Sequence, residues 1–323
     1  MRAITIALFL LSFPDLVLSQ QVTSRLVTQI GTLNGVRLVA ISPNNKLALT
    51  STGLTTSKDN SICLWDVATG REIRRFSNHT DNVRDLAFSP DNRFAASASN
   101  DKTVRIWNLE TGTEVQQLNH PDPVLSIVYS PDGKYLLTGT TANLISEGGF
   151  GYQWDVTTGN KLRTFPNHKK GIPAVAWSAD GKLLATAGWD NVVSLFNADT
   201  GTLVTEIKEP ATIIAVAFSP DTKMIAAAGG TDNMVHVVEI ATGKEVQKIK
   251  CQTAPYSVMF SPDGSQLLVA NKFPDKKVHL WDLKTGNEVR NFFGSTQAVI
   301  SSDGRYVLTA AAARHRSGSH PLA

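Results

Sequence analysis

HTDNVRDLAFSPDNRFAASASNDKTVRIWNLETGTEVQQLN, residues 79–119, consists of four runs rich in Val, Ile, Phe and Leu, each about five to seven residues long, separated by short polar turns. Run length, alternation and turn chemistry together predict four β-strands. Pro90 presets φ for the first turn, Asp91 accepts from nearby backbone amides, and Gly112 supplies the left-handed residue of the last turn. The same layout recurs along the chain. Thr69-Gly70, Thr111-Gly112, Thr158-Gly159, Thr200-Gly201, Thr242-Gly243 and Thr285-Gly286 place successive glycines 42, 47, 42, 42 and 43 residues apart. A second marker keeps step: Ser42-Pro43-Asn44, Ser89-Pro90-Asp91, Ser130-Pro131-Asp132, Ser178-Ala179-Asp180, Ser219-Pro220-Asp221, Ser261-Pro262-Asp263 and Ser301-Ser302-Asp303. Two turn signals per period of about 42 residues mean a modular, all-β architecture.

Four short antiparallel strands per unit make one propeller blade, and blades set around an axis leave few exposed edges. Trp65-Asp66, Trp107-Asn108, Trp154-Asp155 and Trp281-Asp282 each begin five residues before the Thr-Gly glycine, and His79, His120 and His168 open three units. With these motifs the chain resembles a WD-repeat (WD40-type) β-propeller over roughly residues 24–312. The resemblance implies a buried hydrogen-bonded tetrad of His, Ser or Thr, Asp and Trp, which His79, Ser97, Asp101 and Trp107 match in full. Other units match in part. His168, Thr186 and Asp190 stand with Phe196 in place of Trp; His120, Thr138 and Trp154 lack a clear Asp; Asp59 with Trp65, and Asp275 with Trp281, lack the His; Asp232 stands with Val238.

The predicted fold is therefore a seven-bladed β-propeller of four-stranded antiparallel blades, the last incomplete or poorly formed. After Ser301-Ser302-Asp303-Gly304 comes one strand, 306–311, with no further Trp-Asp or Thr-Gly. In the family an N-terminal strand often completes the last blade, and residues 25–30 fit that outer position. A truncated or frame-shifted C-terminus is the alternative, and residues 313–323 read as an irregular tail. At the other end, Arg2 followed by the apolar run 3–13 and a cut near Gln20 reads as a signal peptide over residues 1–19, leaving 20–312 as the propeller. The rival readings are a strand of the mature fold and an uncleaved anchor. Export to a periplasmic or extracellular space is the expectation, a cytoplasmic scaffold the alternative.

A net charge of +3 and the lack of any Lys/Arg block predict no nucleic-acid partner, and no second long apolar stretch predicts a membrane span after signal removal. Cys63 and Cys251 fall in blades that are not neighbours, so buried free thiols are expected; separately, the expected oligomeric state is a monomer.

On paper His79, Ser97 and Asp101 look like a catalytic triad, but in the family these groups are buried and mutually paired. Nucleophile elbow, HExxH, P-loop, EF-hand and zinc-spaced Cys/His motifs do not occur in the sequence. No catalytic residue, metal or cofactor is assigned. His236 and His279 fall on third strands, where packing is the default.

From each marker serine to the Trp position the distances are 23, 18, 24, 18, 19 and 20 residues, so blades one and three carry insertions, 51–59 and 139–151. Both lie between second and third strands and rise on one face, where recognition usually sits. The expected function is a non-enzymatic scaffold that binds a protein or peptide there. The expected contact residues are Trp189 above all, with Phe150, Tyr152, Arg84, Tyr256, Arg37, Lys58 and Asn100; Leu125 and Ile214 start first strands at the same level. The alternatives are a propeller hydrolase or lyase with a central-channel site, which needs convergent channel carboxylates, and a fragment of a larger WD-repeat protein.

Overall fold

A computed structural model describes residues 5–11, 24–30, 36–52, 59–141, 148–272, 274–275, 277–294 and 297–310. Every regular element among them is a β-strand. Six sheets are four-stranded and antiparallel, their strand order following the sequence, over residues 36–76, 83–119, 124–168, 174–208, 215–250 and 255–293. These are blades one to six. Among the described residues no helix is long and apolar enough to cross a membrane.

The sequence predicts seven blades, and the structure has six that are complete. The seventh unit is a two-stranded sheet, Ala298–Ile300 with Val307–Thr309. Between Asp303 and Ala310, the last described residue, there is neither a Trp-Asp nor a Thr-Gly turn, so this unit has two strands among the described residues. It is nonetheless wedged between the chain's two ends of the ring. Ala298, Ile300 and Val307 pack with Leu268, Leu280 and Phe292 of blade six, while Leu308 and Ala310 pack with Val39, Cys63 and Trp65 of blade one. Each of the other five junctions holds its own apolar cluster, so burial runs around the whole circle. The marker turn of the seventh unit also bonds across the junction: Ser302 N–H donates to Asn45 Oδ1 (3.0 Å) and Ser302 Oγ to the Pro43 carbonyl (2.8 Å).

Within the apolar N-terminal run, expected to be part of a signal peptide, Thr5–Leu11 is a strand. Thr5–Leu11 pairs antiparallel with Ser24–Ile30, Thr5 opposite Ile30 and Leu11 opposite Ser24, and it lies alongside Val307–Thr309. A short run of β-branched and large apolar residues satisfies both the leader pattern and the strand pattern, and periodicity cannot separate them. The cut near Gln20 and the tail 313–323 lie outside the described residues.

The two sequence markers are turns that close on themselves. In all seven units the marker Ser Oγ donates to the Asp or Asn two residues on, 2.8 Å for Ser42 to Asn44 and 2.5 Å for Ser89 to Asp91. That same Ser Oγ accepts from the N–H that opens the second strand, 2.9 Å from Phe94 in blade two. The Asp of Trp-Asp serves the other turn: Asp66 Oδ1 accepts from both Thr69 N–H and Thr69 Oγ1 at 2.7 Å, and Gly70 follows with φ 69°.

Candidate functional site

Blade two builds its tetrad completely. His79 Nδ1 lies 2.7 Å from Asp101 Oδ2 and Nε2 lies 2.7 Å from Ser97 Oγ, which also accepts from Trp107 Nε1 at 2.9 Å. Asp101 further accepts from Thr80 N–H (3.1 Å), Thr103 N–H (3.0 Å) and Thr103 Oγ1 (2.6 Å). Burial works against its negative charge, yet the bonds from His79 and Thr103 outweigh that and hold the carboxyl well below the usual range. With every member paired and His79 and Ser97 buried, this set rigidifies the blade.

The incomplete units find other partners. His168 reaches Asp190 (2.9 Å) and Thr186 (2.8 Å), with Phe196 packed where the Trp would be. His120 reaches Thr138 (3.0 Å) and the Leu118 carbonyl (3.2 Å), and burial pushes its imidazole down to about 4. In blades five and six the histidine has moved to the third strand, four residues after the aspartate. His236 Nε2 lies 3.0 Å from Asp232 Oδ2, and His279 Nε2 lies 3.0 Å from Asp275 Oδ2. The packing default for His236 and His279 overlooked this Asp-x-x-x-His spacing, which the sequence carries twice.

A cavity of about 270 Å3 opens at the mouth of the central channel. Its deeper level consists of the residue four positions before each marker serine: Leu38, Asp85, Ser126, Ala174, Ala215, Ser257 and Gln297. First strands shift register at this level in four units, between Val36 and Leu38, Val83 and Asp85, Val124 and Ser126, and Pro255 and Ser257. Such bulges re-aim side chains, and at the one in blade two Asp85 Oδ2 accepts from Ile127 N–H of the next blade (2.9 Å); in the seventh unit, Gln297 Oε1 likewise accepts from Val39 N–H of blade one (2.8 Å). Burial raises the Asp85 carboxyl to about 6 against the pull of those backbone bonds. Its backbone-bonded oxygens make it a staple, and it is the single carboxyl in the cavity lining.

The outer level carries expected contact residues. Arg84, Tyr256 and Trp189 line the mouth together with Leu125, Pro173 and Ile214, and Arg37 lies within electrostatic reach of Arg84. Trp189 is held by its N–H to the Gly171 carbonyl (3.0 Å), and its ring covers Gly171 so closely that a Cβ there would come within 2.8 Å of it. The other expected contacts part company with this group. Tyr152 is 5 % exposed, inside the core between blades two and three, and Phe150 packs against that core from the third strand Gly149–Asp155. Both are corrections to the sequence reading: Gly149, Phe150 and Gly151 continue the strand, because Phe150 N–H bonds Thr140 Oγ1 and Gly151 pairs with Gly139. Asn100 is half-buried in its turn, outside the cavity, and Lys58 lies outside the described residues. Asp85 was missed; aligning the seven marker serines would have exposed it as the one acid among Leu, Ser, Ala and Gln.

The root of the blade-three insertion is packed against the loop that carries Gly171. A Cβ on Gly149 would stand 2.7 Å from the carbonyls of Lys170 and Thr140 and 2.8 Å from Gly171 Cα, all backbone. Gly149→Ala is expected to destabilise the protein by about 1–3 kcal/mol, read as a lower denaturation midpoint. A midpoint equal to wild type would mean that this root yields freely.

Comparison with known proteins agrees with this architecture. The family described as "WD domain, G-beta repeat" matches residues 24–66, 70–108, 112–149, 159–197, 201–239 and 243–282. Among curated relatives, the U3 small nucleolar RNA-associated protein 15 homolog of Xenopus tropicalis is 30% identical over 52% of this chain and 32% of that protein. Periodic tryptophan protein 2 of Arabidopsis thaliana is 28% identical over 63% and 22%, and WD repeat-containing protein SL1-17 of Schistosoma mansoni 32% identical over 53% and 53%. The chain thus spans about half or less of the length of these relatives. Six matched repeats on six four-stranded blades place this chain in the WD40-repeat family.

Proposed function

We propose that this protein is a non-enzymatic scaffold that binds a protein or peptide at the channel mouth, on the face where the second strands of blades one and three end. The observation that carries this reading is the open cavity rimmed by Trp189, Tyr256 and Arg84, residue types that anchor interfaces, on a rigid ring. Family membership fits such a scaffold. A channel hydrolase or lyase would need convergent acids, whereas the cavity offers Asp85 alone, with its oxygens already engaged. We further read the ring as seven-bladed, the N-terminal hairpin supplying the third and fourth strands of the seventh unit. Seven equivalent channel positions and seven apolar junctions support that count. A place for residues 5–11 in the ring favours action inside the cell over export, as does a relative named for nucleolar RNA.

The test is affinity capture with the full chain and with a Trp189→Ala/Tyr256→Ala variant matched for thermal midpoint. A partner held by wild type and reduced at least about tenfold in the variant is expected, since interface aromatics commonly contribute 2 kcal/mol or more. Equal recovery by both baits would move recognition away from the mouth.

A further inference from the structure

We propose that the channel mouth docks a linear acidic segment of a partner protein, its carboxylate on the Arg84–Arg37 side and a neighbouring aromatic or aliphatic side chain against Trp189 and Ile214. The inference rests on the scaffold reading above and gives the partner its chemistry.

The mouth is divided. Arg84 of blade two lies within electrostatic reach of Arg37 of blade one and Tyr256 of blade six, while blades three to five present Leu125, Pro173, Trp189 and Ile214. Arg84 is half-buried; burial first, then the like charge of Arg37, disfavours its cationic form by more than Tyr256, Asp81 and Asp85 favour it. Asp85 follows it in the chain, but that carboxylate already accepts from the N–H groups of Leu86 and Ile127 at 2.9 Å each. A docked carboxylate would offset both costs at Arg84 through charge-assisted hydrogen bonds. A cationic segment would instead bring a third positive charge to two guanidinium groups. A nucleic-acid backbone needs an extended basic surface, and here half of the rim is apolar. A cavity of about 270 Å3 lies just below the range of whole small-molecule sites, so it suits a few side chains of a segment that continues over the face. The apolar half then receives the residue beside the acid, with Trp189 as its platform.

Random linear peptides displayed on phage are selected on the full chain, and the binders are resynthesised with both ends blocked. The expected result is enrichment of Asp or Glu beside an aromatic or large aliphatic residue. Changing that acid to its amide should weaken binding about ten- to hundredfold, the worth of a hydrogen bond to a charged group. Arg84→Gln should cost a similar factor and add little to the amide peptide's loss, whereas Trp189→Ala should weaken acid and amide peptides alike. Binders that need Trp189 but select no acid would overturn the acidic-segment inference and leave the mouth as a recognition site. Binders indifferent to both Trp189 and Arg84, or none at all, would overturn both. Tighter binding when phosphoserine replaces the acid would overturn the carboxylate assignment in favour of phosphate.

Discussion

Replacing Asp101 by alanine is expected to lower the unfolding free energy by about 3–5 kcal/mol, because it strands several buried donors that each cost about 1–3 kcal/mol when left unsatisfied. The magnitude follows from what Asp101 serves. Its two oxygens face four donors: His79 Nδ1, Thr80 N–H, Thr103 N–H and Thr103 Oγ1. With the Asp101 and His79 side chains 5 % and 1 % exposed, water cannot replace those bonds without opening the blade. Blade three shows what a unit without this acid requires. There His120 is held neutral by burial, finds the Leu118 carbonyl, and packs on Trp154 with ring centroids 4.7 Å apart. Blade two has no such arrangement ready, so Asp101→Ala leaves donors stranded. Asp101→Asn, which keeps volume and one acceptor, should fall between. The acid also sets a pH signature. Its folded-state ionisation lies below the ordinary value of 3.8, so its contribution is complete above that pH and is lost as pH falls further. Wild type and Asp101→Ala should therefore converge in stability towards low pH. A chemical-denaturation midpoint for Asp101→Ala within error of wild type at pH 7 would show that the tetrad is dispensable.

The unit of the fold was legible in the sequence because each marker residue acts locally. Ser89 and Asp91 close one turn, and Asp66 with Thr69 closes the other, so the spacing survives even where Trp has become Phe196 or Val238. Ring closure was less legible. It depends on residues far apart in sequence, Val39 meeting Gln297 and Ser302 meeting Asn45, and no local pattern announces such pairs. At the candidate site, residues whose position is set by the marker register alone, Arg84 and Tyr256, were found at the mouth. Phe150 and Tyr152 were misread because Gly148, Gly149 and Gly151 look like loop punctuation. Gly149 is a strand residue without a side chain because the Lys170 and Thr140 carbonyls come too close for a Cβ, and Gly151 sits tightly against Thr186 and Phe165. Asp85 escaped notice since its channel position appears only when all seven units are laid side by side.

Deleting residues 1–19 is expected to lower the thermal midpoint by roughly 10 °C, corresponding to several kcal/mol for a chain of this size, and to make residues 297–310 sensitive to protease. The cause is geometric. Thr5–Leu11 is the strand that lies alongside Val307–Thr309, and it is also the hydrogen-bonded partner of Ser24–Ile30 over seven residue pairs. Without it the seventh unit keeps two short strands, and the edge of Val307–Thr309 is bared between blades six and one. An exposed edge in a closed ring invites both opening and strand pairing with another chain, so the shortened protein should also associate at concentrations where the full chain does not. The same deletion mimics cleavage of a leader near Gln20, which gives the experiment its force. If these residues are a removable signal, the shortened chain is the working form and must be at least as stable as the full one. If they are a strand of the closing unit, the shortened chain is a ring with its last blade unfinished. A thermal midpoint unchanged by the deletion would remove Thr5–Leu11 from the ring and restore the export reading. A fall of the expected size would make the N-terminal run a structural element and leave cleavage incompatible with a stable propeller.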